Sequence, residues 1–444
     1  MFEKIYLHLP RKIQNALLSF YGYKINKARY SAVFKQKLKE VCSNSFNSQN
    51  ELKKYHNDKF LELLKSIKSD KDSLNRFIYL YGDIDKFSSI DDIKKIPLTT
   101  KNKIKDCLKK FPIVKKQKIL VAHTSGTTGS GLIFPISRVA DAYQWAIWWR
   151  YRFKHGISFD TVCGYFGGRS FVPVNESKCF YRINSSSNQV MLSAYHLNLK
   201  TLGNYVEGIK TNKVSWLHGY PSFLSHFASL CLQENIDFKN QIKIVTVGSE
   251  SLLANQKEMI ETAFNCKVRQ HYGLAEGVVN ISENENGDMI VDEDFSFCEF
   301  INIKGTDTFK IVGTSLFNSA IPFLRYDTGD IATLVKTDGV HRKVFDIDGR
   351  KEDYIKLKDD TKIGRLDHIF KDILEVKEVQ IRQINFDLVE IHIVKGMNYS
   401  LNVEKKVISE FNKRLGGRIG INIIYRENIE KNKSGKLRFV VSDI

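Results

Sequence analysis

The chain has 444 residues, of which 42% are hydrophobic and 12% aromatic, a composition that supports a large core and excludes intrinsic disorder. Lys and Arg number 68 against 50 Asp and Glu, a net charge of +18; the basic residues are spread along the chain rather than blocked, which reads as solvated surface and not as a nucleic-acid footprint. No apolar run reaches the roughly 18 residues of a membrane-spanning helix, and the start "MFEKIYLHLPRKIQNALLSFYGYK" lacks a secretory h-region and cleavage pattern.

Taken in chain order, residues 1–117 read mainly as helices. Ile5 to Tyr21 mix apolar and basic residues as an interfacial helix would, but docking on the protein's own core is the expected arrangement. Apolar residues recur every three or four positions in "SAVFKQKLKEV" and "KFLELLKSIK", and Thr99 or Thr100 can cap a helix at "KNKIKDCLKKF". From about residue 118 strands and helices alternate. "KILVAH" reads as a strand, "DAYQWAIWWRYRFKHG" as a helix ended by Gly156, and "TVCGYFG" as a strand. "YVEGIKTNK", "VSWLHGY", "PSFLSHFASLCLQEN", "IKIVTVGSE", "LLANQKEMIETAF" and "CKVRQHYG" continue the alternation. Such alternation predicts parallel strands in an α/β fold, with ligands at the strands' carboxyl ends. Residues 285–350 are rich in turn signals and predict β meanders. Residues 354–444 mix strand and helix patterns.

The expected fold is therefore α/β. A large N-terminal domain (residues 1–351, helical over 1–117) has mixed and parallel sheets flanked by helices, and a small α+β lid domain spans residues 352–444. The seven cysteines, at 42, 107, 163, 179, 231, 266 and 298, are odd in number and show no metal-binding spacing. They are expected to be reduced thiols of a cytoplasmic protein.

The loop "VAHTSGTTGSGLIFP" resembles a P-loop at first sight, since Gly126 and Gly131 have its spacing. Leu132 and Ile133 stand where that motif needs Lys and Ser or Thr. Hydroxyls of Thr124, Ser125, Thr127 and Thr128, with the bare backbone of Gly126 and Gly129, can still grip phosphate oxygens. Taken singly, this composition is common in plain turns. "QHYGLAEG" adds Tyr272, whose face can stack on a base, with Gly273 beside it and Glu276, a carboxylate able to hold Mg²⁺ against phosphates. "RYDTGDIA" places Asp330 after a tight turn, able to accept from two ribose hydroxyls. "DGRKED" and "NKSGKLRF" follow, the latter with Lys436.

In that order the segments "TSGTTG", "YGLAE", "RYDTGD", "GRKED" and "SGKLR" resemble the adenylate-forming superfamily over essentially the whole chain. "GYPSFL" and "VGSES" are similar to its phenylacetate-CoA ligase branch, and to the CapK-like proteins of capsular and O-antigen gene clusters in particular. The resemblance implies that residues 124–129 embrace the β- and γ-phosphates of ATP, and that Gly248, Ser249 and Glu250 line the adenine pocket, with Tyr272 on the base. Glu276 would hold Mg²⁺, Asp330 and Arg350 the ribose, and Glu352 would be the hinge. Lys436 would bridge the substrate carboxylate and the α-phosphate. Two departures stand out: Ser130-Gly131 replaces the basic residue common after "TTG", and Glu352 replaces the usual Asp or Lys.

The activity implied is ATP- and Mg-dependent activation of a small-molecule carboxylate. CoA, a carrier-protein thiol and an amine on a sugar nucleotide stay open as acceptors. An adenylyltransferase that leaves AMP on its product and a non-catalytic basic binder are the alternatives. Tyr165, Phe166, Trp216 and Tyr220 are expected to wall the acyl pocket, with Arg169 or His218 available to a polar group.

Overall fold

The computed structural model describes residues 2–113, 119–124, 132–167, 171–173, 175–250, 252, 254–303, 308–335, 339–348, 355–358, 362–363, 366–370, 373, 375–396, 399–429 and 439–444. Six helices open the chain: α1 (Phe2–Leu7), α2 (Arg11–Arg29), α3 (Ala32–Ser43), α4 (Gln49–Lys68), α5 (Lys71–Tyr81) and α6 (Lys101–Lys110). Thr100, not Thr99, caps α6 by accepting from Lys103 N. Thr99 instead exchanges backbone hydrogen bonds with the Arg325–Asp327 segment. Helix α2 docks through polar contacts: Asn15 accepts from Ile183 N, and Gln14 accepts from the fully buried Arg182.

A two-stranded ribbon, β1 (Ile119–His123) and β2 (Ile133–Ser137), comes next. The strand expected at "KILVAH" is present, but it pairs antiparallel with β2 and stays outside the main sheet. Ser137 then caps α7 (Arg138–Lys154), and Gly156 follows at φ +73°, the left-handed conformation that ends the helix.

The alternation after α7 gives β3 (Cys163–Gly167), β4 (Tyr181–Asn184), β5 (Gln189–Ser193), α8 (Leu202–Thr211), β6 (Trp216–Gly219), α9 (Pro221–Gln233), β7 (Ile244–Gly248), α10 (Ala254–Phe264) and β8 (Lys267–Gly273). Pro221 sits at the first turn of α9, where its missing N–H costs nothing. The meander follows as β9 (Asn280–Glu283), β10 (Met289–Val291), β11 (Ser296–Asn302), β12 (Thr308–Ser315), β13 (Tyr326–Val335) and β14 (Lys343–Asp348).

Parallel strands and meander join in one mixed sheet of order β11-β12-β13-β14-β10-β9-β8-β7-β6-β3-β5-β4. Strands β5, β3, β6, β7 and β8 are parallel, and β9 turns the direction by pairing antiparallel with β8. The β4–β5 edge escapes a reading by periodicity because its strands are short. Their connection is a 3-10 turn, Ser185–Ser187, closed by Asn188 in the left-handed region. One core packs α8, α9 and α10 against the parallel strands, with Phe166, Phe223 and Phe227 at most 1% exposed.

The C-terminal elements are β15 (Ile355–Lys356), β16 (Lys362–Ile363), β17 (Val376–Gln383), β18 (Leu388–Lys395), α11 (Leu401–Leu415), β19 (Gly420–Tyr425) and β20 (Val440–Ser442). They build a four-stranded sheet of order β19-β18-β17-β20 with its own core, including Phe370, Val407 and Phe411. Tyr195, from the turn after β5, is buried with that core, and its carbonyl accepts from Arg418. The architecture is the expected one: a large multi-strand sheet flanked by helices, plus a small C-terminal sheet.

Candidate active site

Loop residues after β7, β8 and in β13 carry the predicted nucleotide contacts, and their local geometry follows from the sequence. Strands β7 and β8 run parallel, with Gly248 opposite His271. Ser249, just past the end of β7, has φ +68°, a left-handed conformation unusual for a residue with a Cβ. Strain of this kind concentrates at functional sites. It turns the chain so that Glu250 accepts from Ser222 N at 3.1 Å, bracing the first turn of α9. A carboxylate there also suits the positive end of the helix.

After β8, Gly277 at φ +65° closes a turn in which Gly277 N donates to Leu274 O. Gln144 of α7 donates to the same carbonyl at 3.1 Å and fixes the loop from outside. In β13 the register against β12 shifts between Lys310 and Val312, leaving Thr328–Asp330 as a bulge. Gly329 takes φ +75° there, with its N–H on Asp327, and Thr328 Oγ1 accepts from Asp330 N. Bulges re-aim side chains, and this one sets the direction of Asp330.

These two segments lock together reciprocally. Tyr272 of the first donates its phenol to Asp330 Oδ2 of the second at 2.9 Å. Tyr326 of the second donates its phenol to Glu276 Oε1 of the first at 3.1 Å. Both carboxylates are only 7% exposed. Burial, reinforced by the adjacent Asp330 carboxylate, pushes the Tyr272 phenol well above its usual range, so it stays a donor. Tyr326 was not singled out from the sequence, although its place in "RYDTGD" was visible.

At the phosphate loop only the base is described. Thr124 N donates to Leu132 O, and Thr124 Oγ1 accepts from Leu132 N, both at 2.9 Å, clamping the ends of the loop. Ser125, Gly126, Thr127, Thr128 and Gly129 lie outside the described residues, as do Arg169, Arg350, Glu352 and Lys436.

The expected acyl-pocket residues separate into two sets. Phe166 is fully buried on the opposite face of β3, packed on Phe227 with ring centroids 5.3 Å apart. It is a core residue, not a pocket wall. Tyr220 packs against Phe223 on the same core, ahead of α9. Tyr165 and Trp216 share the other face with His218: the Tyr165 and His218 rings stack at 5.8 Å, and Trp216 lies 5.6 Å from His218. Helix α7 runs over this face, bringing Trp148 to 5.9 Å from His271 and Arg152 to 5.1 Å from the Trp216 ring. Trp148 and Arg152 were missed in the sequence; their one-turn spacing on an aromatic helix resembles ordinary core packing.

Thr246 orders this face. Its hydroxyl accepts from Trp216 Nε1 at 2.7 Å and lies 2.8 Å from His218 Nδ1. Thr246 O lies 3.1 Å from the same Nδ1; a carbonyl only accepts, and the hydroxyl has a second lone pair, so Nδ1 carries the proton and donates to Thr246, leaving Nε2 as an acceptor. Burial, with the Arg152 charge nearby, lowers the His218 pKa to about 3, so the ring stays neutral.

Residues 356–443 match the CapK C-terminal domain family. The whole chain is 26% identical over 456 residues to protein CapK of Staphylococcus aureus, covering 100% of both. It is 23% identical over 372 residues to phenylacetate-coenzyme A ligase of Pseudomonas putida, covering 78% of this chain and 83% of that one. Among solved structures, 2-hydroxyisobutyryl-CoA ligase in complex with 2-HIB-AMP and CoA aligns over 93% of this chain and 89% of that chain, at 16% identity and a TM-score of 0.49. The resemblance carried by the ordered motifs is thus borne out by sequence: the chain is similar to CapK over its full length and to a phenylacetate-coenzyme A ligase over 78% of it, and residues 356–443 match the CapK C-terminal domain family.

Proposed function

We propose that this chain is an ATP-dependent ligase that converts a carboxylic acid to its acyl-adenylate and then passes the acyl group to the thiol of CoA. The observation that carries the reading is the reciprocal lock of Tyr272 with Asp330 and Tyr326 with Glu276. It holds two buried carboxylates in fixed places, Glu276 in the loop past the carboxyl end of β8 and Asp330 on the β13 bulge against Tyr272 at that end, where α/β folds take their ligands. The homology to phenylacetate-coenzyme A ligase supports the same chemistry.

In this reading a substrate carboxylate oxygen attacks the α-phosphorus of ATP, and pyrophosphate leaves. The thiolate then attacks the acyl carbon, and AMP leaves. Asp330 accepts from the ribose hydroxyls, and Tyr272 keeps that carboxylate oriented. Glu276 suits Mg²⁺: the ion needs only one or two carboxylates when ATP and water supply its other ligands. Among the described residues no cluster of three acidic, His or Cys groups forms a protein-built metal cage. The ion would neutralise phosphate charge. Lys436 brings a cation to the carboxylate and α-phosphate in the first step, with residues 352–444 turning as a lid about Glu352 between steps. Losing such a charge costs roughly 10²–10³ in rate.

The full-length similarity to CapK supports a place in surface polysaccharide assembly, so aminosugar nucleotides belong beside CoA among the acceptors to be tested. The test is product analysis by mass spectrometry after incubation with ATP, Mg²⁺, a panel of acids and each acceptor. Free AMP with an acyl thioester is expected. AMP retained on the product would replace this reading with adenylyl transfer.

A further inference from the structure

Helix α7 turns toward the sheet face beneath it two hydrogen-bond donors without acceptors among the described residues. Arg152 lies against three tryptophans, 4.8 Å from the Trp149 ring, 5.1 Å from Trp216 and 5.8 Å from Trp145. Ring faces attract a guanidinium, but they do not accept from its five N–H groups. Among the described residues no carboxylate, carbonyl or hydroxyl accepts from Arg152. The other inward arginines differ. Arg76 donates to three backbone carbonyls, Arg150 to two aspartates, and Arg182 to Glu176 and two carbonyls.

A second donor lies one turn away on the same face of the helix. Trp148 Nε1 is sealed from solvent and has no acceptor among the described residues. An unpaired buried donor is costly, and Trp148 Nε1, one helical turn from the partly buried Arg152, points with it to ligand oxygens. The charge balance agrees. Arg29 stacks on Trp145 at 3.5 Å, adding a second cation, and the nearby carboxylate, Asp141, faces Arg29.

The register gives the space a direction. Gln144 of α7 meets Leu274 beyond the end of β8, Trp148 meets His271 one turn lower, and Arg152 meets Trp216 at the start of β6. At about 1.5 Å per residue, Arg152 lies roughly 12 Å below the mouth marked by Gln144. The mouth adjoins Gly248, which pairs with His271, so an acid lying along α7 would have one end near the nucleotide loops and the other near Arg152.

We propose that this space is the acyl pocket and that Arg152 and Trp148 Nε1 receive a second, anionic group at the far end of the substrate. The acid activated is then a dicarboxylate, or another acid with a distal oxyanion, and Arg152 determines that specificity. The inference rests on the ligase reading for what happens at the near end, but the anion site itself stands on its own geometry.

The test uses the full-length protein and matched probes: glutarate, adipate and pimelate, each beside its monoamide. Calorimetry without nucleotide gives binding, and pyrophosphate release with ATP and Mg²⁺ gives kcat/KM. The wild type should prefer the best diacid over its monoamide by about 10²-fold, the scale of lost charged hydrogen bonds. Arg152→Gln should reduce that preference below about fivefold while ATP affinity and the unfolding midpoint hold. Arg152→Lys should recover part of it. Equal use of diacid and monoamide by the wild type would overturn the inference and leave the ligase reading standing. Arg152-dependent diacid binding without pyrophosphate release from any acid would keep the site and overturn the ligase reading.

Discussion

Replacing Asp330 by Asn tests the nucleotide site with little change of shape. Asp330 is 7% exposed and already accepts from the Tyr272 phenol at 2.9 Å. The amide oxygen left by Asp330→Asn can still accept that proton, so the lock with Tyr272 survives. What changes is the pair of hydrogen bonds expected to the ribose. With a carboxylate each is worth about 1.5–3 kcal/mol, with a neutral acceptor about 0.5–1.5 kcal/mol. The difference over two bonds is about 2–3 kcal/mol, or roughly 30- to 150-fold in Kd for ATP. Titration calorimetry with ATP reads the Kd, and thermal unfolding checks that the fold is intact. Tyr272→Phe is the companion variant: it keeps the ring face for the base and removes only the brace, so its Kd should rise by less than about tenfold. Unchanged ATP affinity in Asp330→Asn, with unchanged unfolding, would remove Asp330 from the site and refute the reasoning.

Arg150→Met should destabilise the fold by about 3–5 kcal/mol, because it strands Asp292 and Asp294, each paired with Arg150 at 2.7 Å; urea denaturation measures this, and adding Asp294→Asn should recover part of the loss. Stability should fall on acidification below about pH 6.5. The folded-state pKa of His218 is lowered to about 3 by burial and by Arg152. The unfolded chain therefore binds a proton that the folded chain refuses, with a slope of about 1.4 kcal/mol per pH unit. His218→Gln should reduce that slope, without abolishing it, in unfolding midpoints measured between pH 7 and pH 5, because burial also lowers His56, His155 and His271. Lys436→Ala should lose adenylation by about 10²-fold or more, yet still bind ATP and still consume a supplied acyl-adenylate; equal loss of both half-reactions would make the residue structural.

Much of this was legible because local chemistry and fold agree. The strand–helix alternation from "TVCGYFG" to "CKVRQHYG" appears element by element, since apolar runs and caps such as Pro221 act locally. The pairing of strands is set by distant partners. The strand at "KILVAH" has the composition of a parallel strand, yet Ile119–His123 pair with Ile133–Ser137 across the phosphate loop. For the site, motifs named Tyr272, Glu276 and Asp330 but not the reciprocal phenols that hold them, because Tyr272 and Asp330 are 58 residues apart. Phe166 and Tyr165 look equivalent in sequence, and the alternation of a strand sends one into the core and the other to the face under α7. Arg152 gave no signal at all. Only its surroundings, three tryptophans and no acceptor, distinguish it from an ordinary helix-surface arginine.

Acid-dependent exchange of labelled pyrophosphate into ATP tests the central claim most directly, because it reads reversible formation of an acyl-adenylate without assuming the acceptor. With Mg²⁺ and a panel of aryl, aliphatic, amino and dicarboxylic acids, at least one acid should stimulate exchange well above the acid-free rate, and Asp330→Asn should need more ATP to reach it. No stimulation by any acid, together with no thermal stabilisation by ATP, would contradict the account.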